Sequence, residues 1–175
     1  MGLLDYNISN FKNWNDYLPI LNAVIITDII IILLMLFNII KSETLRDWYK
    51  KLNLSAVICD VLIIFIVIVI TRFLYSYVFD IFSLWKFILL SVIVQIIHDL
   101  SFYKLVISIP KGKSLIIDLF KNYGNENGFY AIFFDSLMMI SSCLFATLFS
   151  SFGININLII LVLTVYIVPY LIYSL

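Results

Sequence analysis

The chain has 175 residues, 63% of them hydrophobic and 13% charged, with a mean hydropathy of +1.10. That is too apolar for a soluble domain of this length, so an integral membrane protein is expected. Eleven basic and eleven acidic residues give a net charge of zero, which excludes the one-signed field of a nucleic-acid binder.

Residues 1–18 lack a basic stretch followed by a small-residue cleavage site, so no cleaved signal peptide is expected. Leu4, Ile8, Phe11 and Leu18 recur near helical spacing, with Tyr6, Trp14 and Tyr17 among polar residues. This pattern predicts an interfacial N-terminal segment lying on the bilayer. Asn7-Ile8-Ser9 matches a glycosylation sequon, a motif frequent by chance.

Residues 19–40 are long enough to cross a hydrocarbon core of roughly 30 Å and predict a first span carrying Asn22, Asp28 and Asn38. Residues 41–53 read as a short interfacial helix capped by Ser42, with Trp48 and Tyr49 among its basic residues. The second span, 54–79, holds Asp60 and Arg72, about 18 Å apart along a helix axis and so unable to pair with each other. A tight turn at 80–83 leads past Trp85 and Lys86 into the third span, 84–107. Pro110 and Gly112 then break the pattern. Ser114 is expected to cap a short amphipathic helix over 114–124, ended by Gly124 and lying on the membrane. The fourth and fifth spans, 128–151 and 154–175, join at a turn containing Gly153, and Pro169 is expected to bend or end the last helix. The expected fold class is therefore all-α: a polytopic integral membrane helical bundle, one domain over 19–175, with about five transmembrane helices and interfacial amphipathic segments.

Basic residues set the expected orientation. Lys41, Arg46, Lys50, Lys51, Lys104, Lys111, Lys113 and Lys121, eight of the eleven, fall on the side of the 41–53 and 108–127 loops. The positive-inside rule makes that side cytoplasmic, with the N-terminus outside and the C-terminus inside.

The acids then share a level. From the cytoplasmic ends of their spans, Asp60, Asp99 and Asp135 lie about six, eight and seven residues deep, roughly 9–12 Å at helical rise. Asp28 lies deeper, at about 18 Å. An Asp costs roughly 2.5–3.5 kcal/mol near the centre of a membrane helix, so such residues normally have a partner or a function. His98, the only histidine, stands next to Asp99. Ser91, Gln95, His98 or Asp99, Phe102 and Tyr103 recur at helical spacing on the third span. Ala56, Asp60, Ile63, Val67 and Thr71 share a face of the second, and Asp135, Met139, Ser142, Ala146 and Ser150 a face of the fourth. Small and polar stripes of this kind mark helix contacts in a bilayer. They predict a cytoplasm-facing cluster of Asp60, Gln95, His98, Asp99 and Asp135, with Tyr103 and Lys104 near its mouth. Asp28 and Arg72 are secondary intramembrane polar residues.

Three readings compete for the cluster. Its groups bond to one another and hold the bundle together, in a protein of structural or organising role. Alternatively, the carboxylates and one imidazole bind a cation or pass protons, a lone histidine disfavouring zinc. A conduit would need continuous polar contacts from Asp28 or Arg72 to the cluster. The third reading is an intramembrane enzyme using His98 and the acids. Neighbouring helix residues point about 100° apart, however, so a His98-Asp99 dyad is expected to be poorly aligned, and no HExxH, GxSxG or glycine-rich phosphate loop accompanies it. The balance favours a non-enzymatic protein of structural or organising role.

Cys59 and Cys143 are isolated in apolar runs and expected to be inert. Met138-Met139 reads as packing, and no motif calls for a cofactor. The basic loops, with Trp48, Tyr49, Phe120 and Tyr123, would attract anionic lipid or the acidic segment of a protein partner. The lipid bilayer is the expected partner in any case, nucleic acid is not, and monomer and homo-oligomer are both open. Ala-x-x-x-Asp occurs at 56–60 and 131–135, too short a match to establish an internal repeat.

At HDLSFY (98–103), PKGKS (110–114) and DLFKNYGNENGFYAIFFDSLMM (118–139) the chain resembles an uncharacterised family of small multi-span membrane proteins of large DNA viruses. The resemblance covers the third and fourth spans and the loop between them. It implies a virion or host endomembrane location and supplies no reaction.

Overall fold

A computed structural model describes residues 6–175. Among them a 3-10 turn, Trp14–Asp16, leads into seven α-helices: α1 Tyr17–Leu36, α2 Glu43–Leu52, α3 Leu54–Val78, α4 Leu84–Ser108, α5 Leu115–Asn127, α6 Phe129–Ser150 and α7 Ile154–Ile172. Five of these, α1, α3, α4, α6 and α7, are long and apolar enough to cross a membrane. The chain is thus an all-α polytopic membrane bundle. Helices α2 and α5 are the short amphipathic ones, packed on each other at one end of the bundle.

Several element boundaries differ from the sequence reading. The first span begins at Tyr17 and stops at Leu36, because Asn38 turns the chain with φ 57°, a conformation Asn tolerates better than most residues. Helix α5 runs through Gly124 to Asn127 and is ended by Gly128 at φ 47°. Gly124 is instead a packing residue: a Cβ there would stand 2.7 Å from Tyr103 Cε2. Ser114 occupies the N-cap position but makes no capping bond, and Asp118 Oδ2 accepts from the Gly112 amide at 2.9 Å. Ser42 does cap α2, its Oγ accepting from the Leu45 amide at 3.2 Å. Pro169 lies inside α7, which continues three residues beyond it.

The N-terminal stretch is also unlike the expected surface segment. Leu4 lies outside the described residues. From residue 6 to the 3-10 turn the chain folds as turns over the bundle end, with Ile8 fully buried and Phe11 edge-on to Phe73. Arg72 explains this. Its guanidinium, itself fully buried, donates to Asp16 Oδ2 at 2.9 Å, to the Asn13 carbonyl at 3.0 Å and to the Asn10 carbonyl, and lies over the Tyr17 ring. A buried guanidinium has several donors to satisfy, and the turn supplies three acceptors to its Nη2, while Nε and Nη1 have no partner. In the sequon, Asn7 Oδ1 accepts from the Ser9 amide and hydroxyl, and Ser9 is buried.

Helix α1 is the hub, touching α3, α6 and α7. Small polar groups hold it there: Ser142 Oγ donates to Thr27 Oγ1 at 3.1 Å, and Asn22 Nδ2 donates to the Asn157 carbonyl at 2.8 Å. Each bond replaces an unsatisfied group in a setting without water. Cys143 is buried against Ser91, whereas Cys59 is half-buried.

The units α1–α2–α3 and α4–α5–α6 repeat one arrangement. Each has a span, an amphipathic helix preceded by Lys-Ser, a positive-φ hinge and a second span. The hinges, Asn53 (φ 51°, ψ −127°) and Gly128 (φ 47°, ψ −117°), are nearly alike. Ala56 and Ala131 are third from their hinges, Asp60 and Asp135 seventh. Exchanging α1 with α4, α2 with α5 and α3 with α6 maps α1·α6 onto α3·α4, α1·α3 onto α4·α6 and α2·α3 onto α5·α6. One departure is that α5 packs more closely on α4 than α2 does on α1, and α7 stands outside the exchange. The Ala-x-x-x-Asp match therefore falls at equivalent positions of two three-helix units that share one element order.

Candidate functional site

Amphipathicity explains how the site forms. In α2, Leu45, Trp48, Tyr49 and Leu52 fall on one stripe, and Trp48 and Tyr49 are 5% and 1% exposed. A short helix with an apolar stripe that meets a bundle buries that stripe against it. These rings are therefore unavailable to lipid or to a partner at the basic loops. Phe120 and Tyr123 of α5 likewise turn inward. Asn127 Nδ2 donates to Thr44 Oγ1 at 2.9 Å, joining the two amphipathic helices.

Beneath α2 and α5 lies a cavity of about 130 Å³ whose lining includes Asp60, Gln95, His98, Asp99 and Asp135. A second cavity, of about 270 Å³, shares Asp99, Phe102, Phe120, Tyr123 and Asp135 with the first and extends along Leu100, Val106, Ala131 and Ile132. Together they form a cleft beneath α5, its first part lined from α1 through α6 and its second part from α4, α5 and α6 alone. Among the described residues no lysine or arginine lines either part. Tyr103 lines the second part, with its hydroxyl 3.4 Å from Asn125 Oδ1, whereas Lys104 is exposed and lines neither.

The polar residues divide into two sets. Three are committed to the fold. Asp60 Oδ2 accepts from Trp48 Nε1 at 3.0 Å, Asp28 Oδ1 accepts from the Tyr49 hydroxyl at 2.7 Å, and Arg72 is held by Asp16 at the opposite end. The partners of Arg72 Nη2 all lie there, its Nε and Nη1 have none, and no continuous hydrogen-bonded chain joins it to the cleft among the described residues. Gln95, His98, Asp99 and Asp135 instead make no side-chain hydrogen bond to another helix among the described residues. Asp99 Oδ1 accepts from Gln95 Nε2 at 2.7 Å and stands 3.1 Å from His98 Nδ1, while its Oδ2 has no partner. Gln95 is 2% exposed, and its carbonyl oxygen is also unpartnered. Asp135 makes no hydrogen bond to the described residues.

The His98-Asp99 contact corrects the expectation of poor alignment. The imidazole lies stacked at 5.8 Å on Phe102, one turn on, and this swings Nδ1 over its neighbour. Phe102 meets Phe120 at 5.2 Å, and Phe120 meets Trp48 at 4.6 Å. One wall of the cleft is therefore a continuous aromatic file from α4 through α5 to α2.

Burial first, and neighbouring carboxyl groups second, hold the two tyrosines over the cleft neutral. Tyr123 is pushed well above the ordinary phenol range, first by burial and then by the carboxylates of Asp135, Asp60 and Asp99. Tyr49 is raised first by burial and then by Asp28 and Asp60. Both stay neutral donors at any physiological pH. Sequence reasoning did not count Trp48, Tyr49, Phe120 and Tyr123 as lining residues, although the α2 stripe was the signal. Among the described residues no three His, Cys, Asp or Glu side chains come together as a metal-binding set.

No protein-family model, curated protein or solved structure matches this chain.

Proposed function

We propose that this membrane protein is non-enzymatic and binds a positively charged group in the cleft beneath α5. One observation carries the reading: Gln95, Asp99 and Asp135 line one cavity that no described lysine or arginine lines, and Gln95 Oε1 and Asp99 Oδ2 are buried without a partner. Unpaired acceptors in a low-dielectric site are costly, and a bound cation would satisfy them. The first cavity is lined from both three-helix units, and by analogy with transporters built from repeats that is where solutes bind. The positive-inside rule supports placing α2 and α5 on the cytoplasmic side. The resemblance to viral multi-span proteins supports a virion or host endomembrane.

A structural role has its own support in Trp48-Asp60 and Tyr49-Asp28, which tie α2 to α3 and α1. Thermal unfolding in detergent separates the two readings. Cation binding predicts that the melting temperature of the parent rises with added sodium, tetramethylammonium or a longer alkylammonium, and that Asp135→Asn removes the rise while remaining folded. A purely structural cluster predicts no cation dependence, together with a lower melting temperature in Asp99→Asn and Asp135→Asn.

A further inference from the structure

We infer that the cleft takes an organic ammonium group carrying a short apolar chain. This rests on the cation-binding reading above and deepens it. Gln95, Asp99 and Asp135 line the first cavity, and the buried Gln95 Oε1 and Asp99 Oδ2 have no partner, so acceptors for the polar head are at hand. The file His98, Phe102, Phe120 and Trp48 presents ring faces and edges beside them. Carboxylates beside aromatic rings attract alkylammonium ions, whose diffuse charge loses little on leaving water and gains from ring quadrupoles.

The two parts of the cleft match the two parts of such a ligand. A cavity of about 150 Å³ accepts benzene, so the inner part, about 130 Å³, holds a group of trimethylammonium size. The outer part, about 270 Å³, is walled by Leu100, Val106, Ala131 and Ile132 and suits a chain of several methylenes. Leu100 on α4 lines the outer part and Phe134 on α6 the inner part, and they are 54% and 42% exposed, so both parts reach the surface where the spans meet lipid. A compact inorganic cation lacks a matching ligand set, since no three metal-binding side chains converge among the described residues. An ammonium of this kind occurs both in free amines and in lipid headgroups.

Trp48 provides the readout. In a Trp14→Phe, Trp85→Phe chain it is the remaining indole, and it lines the cleft. Its emission is titrated in maltoside micelles with sodium, tetramethylammonium, hexyltrimethylammonium and dihexanoylphosphocholine. The expected result is that one of the two chain-bearing ligands binds at least about tenfold tighter than tetramethylammonium, with sodium weakest. Asp99→Asn should weaken that binding by about tenfold or more, and Phe102→Leu, which keeps every charge, should weaken it too. Preference for dihexanoylphosphocholine assigns the group to a lipid headgroup, preference for hexyltrimethylammonium to a free amine, and both support the inference. Equal affinity for tetramethylammonium and both chain-bearing ligands overturns it and leaves the cation reading standing. If no cation changes Trp48 emission or the melting temperature, both readings fall.

Discussion

The hydroxyl of Tyr49 reaches from α2 to donate to Asp28 Oδ1 at 2.7 Å, and the two residues are 1% and 0% exposed. This is the principal polar tie between α2 and the hub helix. Tyr49→Phe leaves the whole Asp28 carboxyl without a partner, since Oδ2 already has none. The expected loss is about 1–3 kcal/mol, and Asp28→Leu in the Tyr49→Phe background should recover part of it. Denaturant unfolding of the four proteins in one detergent measures both.

The same tyrosine gives a pH dependence. Its folded pKa is raised above the unfolded value, by burial first and then by Asp28 and Asp60, so the folded state favours the neutral phenol. The resulting stability is fully present below about pH 10, where an unfolded tyrosine begins to ionise, and is lost as pH rises above it. Tyr123, raised in the same sense, adds to the slope. Melting temperatures followed upward from about pH 9 should fall less steeply in Tyr49→Phe than in the parent. Equal slopes would show that the phenol does not carry the effect.

Arg72 and Asp16 should behave as one unit. Arg72→Met leaves the buried Asp16 carboxylate with the Asn13 amide but no counter-charge and is expected to cost about 3–5 kcal/mol, as is Asp16→Leu, which leaves the guanidinium with carbonyl acceptors alone. The double variant should cost less than the two losses combined by about 0.5–3 kcal/mol. Strict additivity in a double-mutant cycle would remove this account of why the N-terminal turns fold over the bundle.

Gly124 tests the roof of the cleft. Gly124→Ala places a Cβ against the Tyr103 ring and should cost about 1–3 kcal/mol if the ring is held in place. In a Tyr103→Ala background the same change should be neutral or stabilise by up to about 1 kcal/mol, because alanine is the better helix former. Thermal unfolding of the four combinations decides the sign.

Asn53 adopts nearly the same positive-φ, negative-ψ conformation as Gly128, a region costly for a residue with a Cβ. Asn53→Gly is therefore expected to stabilise the protein by about 0.5–1 kcal/mol. Gly128→Ala should destabilise it by more. Paired melting curves check both, and the opposite order would contradict the equivalence of the two hinges.

Local composition was sufficient for the class of this protein. The five apolar runs, the two amphipathic stretches between them and the Ser42 cap are properties of neighbouring residues, and they stand in the structure near where the sequence places them. Helix ends were less legible. Asn38 and Gly128 act through backbone angles, and Gly124 is required by a tyrosine on another helix. Which acids pair was not legible, because partners are far apart in sequence: Asp60 meets Trp48, Asp28 meets Tyr49, and Arg72 meets a turn that reads as an interfacial segment. Depth along a helix follows from counting residues, so the sequence could put Asp60, Asp99 and Asp135 at one level. Rotation about each helix axis, and the inward turn of the α2 and α5 rings, depend on packing between helices. Only the tertiary structure therefore separates the polar groups spent on holding the bundle from those left open in the cleft.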